Sequence, residues 1–241
     1  MTLHLNCDLG ETTSLDVEKR LMPYIHQANV SCGFHAGSPS IIRETLQLAS
    51  LHNVAVAAHP GYPDRERFGR QSMALSADEI IEILHTQLES LDQMSRGVAP
   101  LPKLIKPHGA LYNDMMADSA KRKAVLQAIA AFHRPLTLVM QATVNSDEHR
   151  LEALEYGIDV LFEAFADRRY DDNGLLLSRA KPMSVLDQVD ILDQVQRLVL
   201  EGAVRSISGK VISLQADTLC LHGDNPAVLD VIENIHALVS S

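Results

Sequence analysis

A chain of 241 residues with 46% hydrophobic and 22% charged residues has the composition of a globular protein and can bury a substantial core. Its net charge of −10 argues against nucleic acid as a main partner, because phosphate binding needs a basic face. Met1 precedes a strand-like segment, and no apolar run is long enough to span a bilayer, so neither a signal peptide nor a membrane span is predicted.

Strand-like apolar runs alternate with longer helical patterns, as in βαβ units with a parallel sheet. The predicted strands are 3–8, 29–33, 54–59, 104–108, 136–140, 159–163 and 218–222, with a short extra strand at 211–214. The predicted helices are 15–27, 39–52, 77–95, 116–132, 146–156, 185–201 and 226–239. Seven such units in this length predict one α/β domain over residues 1–241, a distorted seven-stranded (β/α) barrel. An open doubly wound sheet is the rival arrangement.

Several helix starts carry local capping signals, either a polar cap before proline or a capping box. The pairs are Ser38 with Pro39, Ser76 with Glu79, Asn145 with Glu148, and Asn225 with Pro226. The three cysteines, Cys7, Cys32 and Cys220, lie inside apolar runs. An odd number without an export signal predicts reduced thiols, buried as small hydrophobic side chains, and a cytoplasmic location.

Six predicted strands run into polar residues at their C-terminal ends. These strand-end clusters are LHLNCDLGE from Leu3, NVSCGFHAG from Asn29, NVAVAAHPGYP from Asn53, LIKPHGALYN from Leu104, VLFEAFADRRY from Val160 and LCLHGD from Leu219. In an α/β barrel these ends form one face, where the active site lies. Four of the polar ends carry a histidine, so the pattern predicts an active site rather than isolated histidines hydrogen-bonded at a barrel rim. These are His35, His59, His108 and His222.

Side-chain alternation indicates which residues share a cavity, because residues i and i+2 point to the same face of a strand. Asn6 therefore shares a face with Asp8, and Lys106 shares one with His108. If these faces form the barrel interior, one cavity holds Asp8, His59, Lys106, His108, Glu163 and His222.

Asp8, His59 and His108 fit two kinds of chemistry. One carboxylate and two imidazoles with an open position can bind a catalytic divalent metal, although no local spacing such as HxxxH supports this. The same groups can instead transfer protons, with the carboxylate fixing a histidine tautomer. The sequence leaves both alternatives open.

Basic residues near these clusters are candidates for anion binding. Arg168 and Arg169 follow a strand, and a guanidinium binds carboxylate or phosphate with two hydrogen bonds. The loop at 61–70, which ends in Arg70, is long enough to close over a ligand. No GxxxxGK[ST] pattern occurs around Lys210, so a nucleotide, if bound, is not held by a P-loop.

Together the clusters resemble the LamB/YcsF family, whose members are described as the A component of prokaryotic 5-oxoprolinase. The resemblance covers nearly the whole chain. It rests on residues 5–11, 28–37, 58–64 with 68–70, 106–113, 162–170 with 174–179, and the block that ends at Asp224.

The resemblance implies cleavage of 5-oxo-L-proline to L-glutamate, driven by ATP as co-substrate with Mg²⁺, and partner subunits B and C. It also implies a fold like the barrel of glycoside hydrolases and polysaccharide deacetylases. A homo-oligomer is left open. The alternatives are a metal-dependent deacetylase or amidohydrolase that does not use ATP, and a non-catalytic subunit that only binds a ligand.

Roles for the candidate residues follow from this implied reaction. We expect Asp8, His59 and His108 to handle water or protons, Lys106, Arg168 and Arg169 to stabilise phosphate or carboxylate charge, and Glu163 and His222 to orient them. The predicted catalytic set is Asp8, His59, Lys106, His108 and Glu163. The predicted substrate- or phosphate-binding set is Asn6, His35, Arg70, Arg168, Arg169 and His222.

Overall fold

A closed barrel of seven parallel strands forms the centre of the computed structural model, which describes residues 3–179 and 181–240. The strands are β1 (His4–Leu9), β2 (Gln27–Ser31), β3 (Ala55–His59), β4 (Leu104–Ile105), β5 (Thr137–Gln141), β6 (Val160–Phe165) and β9 (Thr218–Leu221). They follow one another around the barrel in chain order, and β9 closes it against β1. The predicted seven-stranded barrel is confirmed, and the open sheet is wrong.

Helices cover the outside of the barrel, and most of them bury an apolar face. They are α1 (Asp16–Leu21), α2 (Pro39–Leu51), α3 (Ala77–Ser95), α4 (Gly109–Ala117), α5 (Ser119–Ala131), α6 (Ser146–Leu154), α7 (Gln188–Glu201) and α8 (Pro226–Ser240). In α3, Ile80, Leu84, Leu88 and Leu91 repeat at helical spacing and are fully or almost fully buried. Within the described residues, no helix is both long and apolar enough to cross a membrane.

Three predicted elements are wrong in their extent. The helix predicted at 15–27 ends at Leu21, since Pro23 cannot donate to a continuing helix and the chain enters β2 at Gln27. The strand predicted at 104–108 ends at Ile105. The helix predicted at 116–132 begins only at Ser119, as α5, because Asp118 leaves the helical conformation and its side chain accepts a hydrogen bond from the Ala120 amide. Residues 116–117 instead end α4, a helix that was not predicted.

The short extra strand predicted at 211–214 is confirmed, but it lies outside the barrel. It forms β8 (Val211–Ser213), which pairs with β7 (Ala203–Arg205) as an antiparallel hairpin. This hairpin follows α7, which ends at Gly202 in the left-handed conformation.

Most of the predicted capping signals are confirmed. Ser38 caps α2 ahead of Pro39, and Ser76 forms a complete capping box at α3. The Asn225 side chain accepts a hydrogen bond from the Ala227 amide at the start of α8. The capping box predicted from Asn145 is wrong, because its side chain makes no capping hydrogen bond within the described part of the chain.

Gly37 joins two loops at the face of the barrel where the strands end. Its φ of +75° is left-handed, and a Cβ there would lie 2.1 Å from the carbonyl oxygen of Gly10, in the loop after β1. The β1–α1 loop and the β2–α2 loop can therefore touch only if this position has no side chain. Glu11 and His35 stand on these two loops, so the contact also helps to place them.

Gly37→Ala should destabilise the fold by about 2–5 kcal/mol, since left-handed strain of about 1–2 kcal/mol adds to overpacking of about 1–3 kcal/mol. Gly157→Ala is the matched control, because Gly157 has φ +70° but a Cβ there meets no described atom within 4 Å. Gly157→Ala should lose only the unfolding free energy that comes from left-handed strain, about 1–2 kcal/mol. Chemical denaturation of both variants tests this, and equal losses of unfolding free energy would contradict the proposed backbone contact.

Candidate active site

A cavity of about 990 Å³ lies at the face of the barrel where the strands end. Its depth comes from barrel geometry, since each strand delivers its last interior side chain to the same face. The candidate residues that line it are Asp8, His59, Arg70, Lys106, His108, Arg168 and His222. The structure therefore brings residues from β1 and β3 and from the segments after β3, β4, β6 and β9 into one site.

Asp8 lies on the cavity wall and is held there by two donors. Its Oδ1 accepts hydrogen bonds from Lys106 Nζ at 2.9 Å and from Asn29 Nδ2 at 2.8 Å, while Oδ2 lies 3.4 Å from His59 Nε2. Burial alone would raise the pKa of Asp8, but the nearby His59 and Lys106 hold it well below its usual range. Asp8 is therefore an ionised carboxylate with one oxygen turned to the histidine.

Lys106 is a buried cation with its donors already used. Its Nζ lies 2.9 Å from Asp8 Oδ1, 3.1 Å from Glu163 Oε2 and 3.1 Å from Cys220 Sγ. Burial alone would lower the pKa of Lys106, but the charge of Asp8, with smaller contributions from Cys220 and Glu163, raises it well above its usual value. Lys106 therefore stays an ammonium that fixes carboxylates, and it cannot serve as a base near neutral pH.

His59 and His108 meet at the side of the cavity next to Glu11. His59 Nε2 lies 3.0 Å from His108 Nδ1, and Glu11 Oε1 lies 3.6 Å from the former and 3.2 Å from the latter. Burial alone would lower the pKa of His59, but the negative charge of Asp8 outweighs it and raises the pKa. The two imidazoles thus lie against each other, with Glu11 near both rings and Asp8 near His59.

His35 lies outside the cavity surface and contacts both His108 and Glu11. Its ring stacks on the ring of His108 with centroids 3.9 Å apart, and its Nε2 lies 3.0 Å from Glu11 Oε1. Burial lowers the pKa of His35 to about 4, so the ring is neutral at pH 7 and donates its Nε2 hydrogen to the carboxylate. For Glu11, burial would raise the pKa, but the facing ring nitrogens of His108 and His35 hold it far below its usual range.

A second histidine–carboxylate pair lies in the same cavity, and a ring nitrogen of His222 is within 4.8 Å of a carboxylate oxygen of Asp8. His222 Nδ1 is 2.8 Å from Asp167 Oδ1, and Asp167 is completely buried. Burial alone would raise the pKa of Asp167, but His222 lowers it, so the carboxylate is ionised and accepts the Nδ1 hydrogen. Nε2 then carries the lone pair of the neutral ring, which suits His222 to accept a proton.

Arginines and an aspartate form the rim of the cavity. Asp224 Oδ2 bridges Arg179 Nη1 at 2.8 Å and Arg70 Nη2 at 3.5 Å, so it ties the loop at 61–70 to the segment that ends at Arg179. Arg168 is more deeply buried and donates to the carbonyl oxygen of Leu177 at 2.6 Å. The overall charge of the chain is negative, but this rim offers guanidinium groups to an anionic ligand.

The other predicted residues lie away from the cavity surface. Asn6, His35 and Glu163 are buried behind its wall, where Asn6 Nδ2 donates to Glu163 Oε2 at 3.3 Å. Arg169 lies outside the cavity, where its guanidinium pairs with Asp190 on α7 and donates to the carbonyl oxygen of Met183. The sequence interpretation placed Arg169 with Arg168, but adjacent residues after a strand point in different directions.

The sequence profile of the LamB/YcsF family matches residues 3–241. This chain belongs to the LamB/YcsF family. A curated relative from Vibrio parahaemolyticus, named as the A component of 5-oxoprolinase, is 43% identical over 237 residues, which cover 97% of this chain and 94% of the relative. The resemblance inferred from the strand-end clusters is thereby confirmed.

Solved structures agree with the family and with the barrel. The lactam utilization protein from Thermus thermophilus superposes with a TM-score of 0.87 at 36% identity, covering 100% of this chain and 96% of that one. A family 4 carbohydrate esterase from Streptomyces lividans shares only the fold, with a TM-score of 0.52 and 13% identity, over 99% of this chain and 88% of that one. The predicted likeness to the deacetylase barrel is confirmed at the level of fold.

Two carboxylates of this LamB/YcsF chain were missed by sequence reasoning. Glu11 follows the same strand as Asp8 and belongs to the first cluster, but alternation cannot place a residue beyond the strand end. Asp167 follows β6 and was not among the candidates. Both carboxylates could have been found from their location just after a strand end, where several candidate histidines also lie.

Proposed function

We propose that this chain is the A component of a 5-oxoprolinase that cleaves 5-oxo-L-proline to L-glutamate and hydrolyses ATP to ADP and phosphate. The observation that carries the proposal is the buried acid–base group of Asp8, Glu11, His59 and His108 at the base of the cavity. The relative that bears the 5-oxoprolinase name, alike over nearly its whole length, supports the choice of substrate.

The chemistry of a lactam explains the use of ATP. A five-membered cyclic amide is stable and its nitrogen is a poor leaving group. In the proposed reaction, the lactam oxygen takes the γ-phosphoryl group of Mg²⁺-bound ATP and ADP leaves. Water then adds to the ring carbon, and the ring nitrogen departs with a proton to open an acyl phosphate. A second water releases phosphate and leaves glutamate.

The residues divide between proton transfer and anion binding. His59, oriented by Asp8, and His222, oriented by Asp167, are the candidates to take a proton from water and to give one to the ring nitrogen. Arg70 and Arg168 face the cavity and can hold the substrate carboxylate or the phosphoryl group. Lys106 acts indirectly, by holding Asp8.

Partner subunits B and C are part of the proposal, because the relative from Vibrio parahaemolyticus is named as the A component of 5-oxoprolinase. We expect this chain alone to leave 5-oxoproline and ATP unchanged. With subunits B and C added, glutamate and ADP should appear in equal amounts, and omission of ATP or of 5-oxoproline should abolish both products.

The assay measures glutamate and ADP separately, on this chain alone and on the reconstituted complex. An acetylated sugar without ATP serves as a parallel substrate. Release of acetate from that sugar, with no glutamate from 5-oxoproline in any mixture, would overturn the proposal in favour of an ATP-independent deacetylase. Calorimetric binding of 5-oxoproline without turnover by the full complex would instead indicate a subunit that only binds ligand.

A further inference from the structure

The hydrogen bonds on the outer nitrogens of His59 and His108 determine what their inner nitrogens carry. His59 Nδ1 lies 2.7 Å from the carbonyl oxygen of Lys106, and His108 Nε2 lies 2.9 Å from the carbonyl oxygen of Phe68. A carbonyl oxygen can only accept, so both outer nitrogens bear the hydrogen. In the neutral rings, His59 Nε2 and His108 Nδ1 therefore present lone pairs to each other.

The two nitrogen atoms are only 3.0 Å apart and buried. Because two lone pairs repel each other at this distance, the arrangement needs a positive charge between or beside them. A carboxylate oxygen lies next to each of the two nitrogens. Glu11 Oε1 lies 3.2 Å from His108 Nδ1, and Asp8 Oδ2 lies 3.4 Å from His59 Nε2. Zinc with bonds of about 2.0–2.1 Å in a tetrahedron separates its ligand atoms by roughly 3.3 Å, which is close to these spacings.

Each of the four side chains is also held by a second hydrogen bond, as metal ligands usually are. The carbonyl oxygens hold the two imidazoles. His35 Nε2 donates to Glu11 Oε1 at 3.0 Å, and Lys106 Nζ donates to Asp8 Oδ1 at 2.9 Å, which leaves Oδ2 for the site. The ligand atoms are thus oriented by partners outside the site.

We propose that Asp8, Glu11, His59 and His108 bind one divalent transition-metal ion, with zinc as the best match to two imidazoles and two carboxylates. The buried ammonium of Lys106 balances part of the carboxylate charge. The site opens on the cavity, so the ion can polarise a carbonyl oxygen or a water there by expanding its coordination. With the ion bound, His59 Nε2 is a ligand, so His222 remains as the proton-transfer group. The inference concerns the same cavity as the proposed function, but it does not depend on a lactam substrate.

The test is metal binding by the purified full chain after chelator treatment and dialysis. Titration with Zn²⁺ by calorimetry should give one equivalent per chain, and Co²⁺ should give visible absorption of a four- or five-coordinate ion. His108→Ala should abolish both signals. The matched control is His85→Ala, because His85 on α3 also donates to a carbonyl oxygen, that of Ala128 at 2.8 Å, but lies away from the cavity.

His35→Phe provides a second variant if His108→Ala does not fold. Phenylalanine keeps a ring against His108 but removes the donor to Glu11, so Zn²⁺ affinity should fall about 10–100-fold. The metal site would be overturned if the unmodified chain bound neither Zn²⁺ nor Co²⁺, or if His108→Ala, His35→Phe and His85→Ala all bound Zn²⁺ with equal affinity. A proton shared between His59 Nε2 and His108 Nδ1 would then explain their short distance. Metal binding is measured without 5-oxoproline, so a negative result would contradict the metal site without contradicting the proposed 5-oxoprolinase activity.

Discussion

Replacing His59 with glutamine should reduce glutamate formation by the full complex about 10²–10⁴-fold, the range that a positioned proton-transfer group contributes. His59 is almost completely buried at the base of the cavity, with Nε2 facing Asp8, Glu11 and His108. Glutamine is similar in length but can neither take up a proton near neutral pH nor offer an imidazole lone pair. The measurement is the release of glutamate from 5-oxoproline and of ADP from ATP, with circular dichroism to show that the fold is kept.

His52→Gln is the matched control for this prediction. His52 follows α2 and is exposed, so the same substitution there should leave turnover within experimental error of the unmodified complex. If His59→Gln folds and keeps full turnover, His59 has no part in the reaction and the assignment of this cavity as the active site fails.

Replacing Lys106 with methionine should destabilise the fold by about 3–5 kcal/mol, because it leaves buried carboxylates without their cation. Lys106 is 3% exposed and Glu163 is 0% exposed, so water cannot replace the lost charge. Methionine has a similar length and is apolar, so the change measures charge more than volume. Urea denaturation near pH 7 gives the free energy of unfolding.

The double variant Lys106→Met with Glu163→Gln identifies the cause of this loss. Removing the carboxylate charge together with the ammonium should recover part of the stability, since a neutral amide is cheaper to bury than an unpaired charge. If the double variant loses as much unfolding free energy as the two single variants together, Lys106 and Glu163 do not interact. That result would contradict the distance of 3.1 Å between Nζ and Oε2.

The barrel was predictable because its strands and helices are each indicated by neighbouring residues in the sequence. Each buried strand is a short apolar run, and several helix starts carry their own caps, as at Ser38 and Ser76. Errors arose where local patterns compete. The apolar pattern from 116 to 132 continues through Asp118 as one helix, but this aspartate stabilises a new helix start instead.

The site was predictable only for residues inside or just beyond strands. Alternation correctly placed Asp8 and His59 in one cavity, because a strand has a fixed period of two. It could not place Glu11, whose loop is positioned by the contact between Gly10 and Gly37. It also could not separate Arg168 from Arg169, since their directions depend on α7 and on the segment that contains Met183.

The sequence by itself determined that polar groups meet at the carboxyl ends of six of the seven parallel strands, because apolar periodicity and strand order are local properties that barrel closure preserves. Only the tertiary structure decided how those groups face one another. The 3.0 Å between His59 Nε2 and His108 Nδ1, and the carbonyl oxygens that set their tautomers, join residues from different strands and loops. Hydrogen-bond geometry of this kind depends on differences of a few tenths of an ångström between distant segments, which no pattern along the chain encodes.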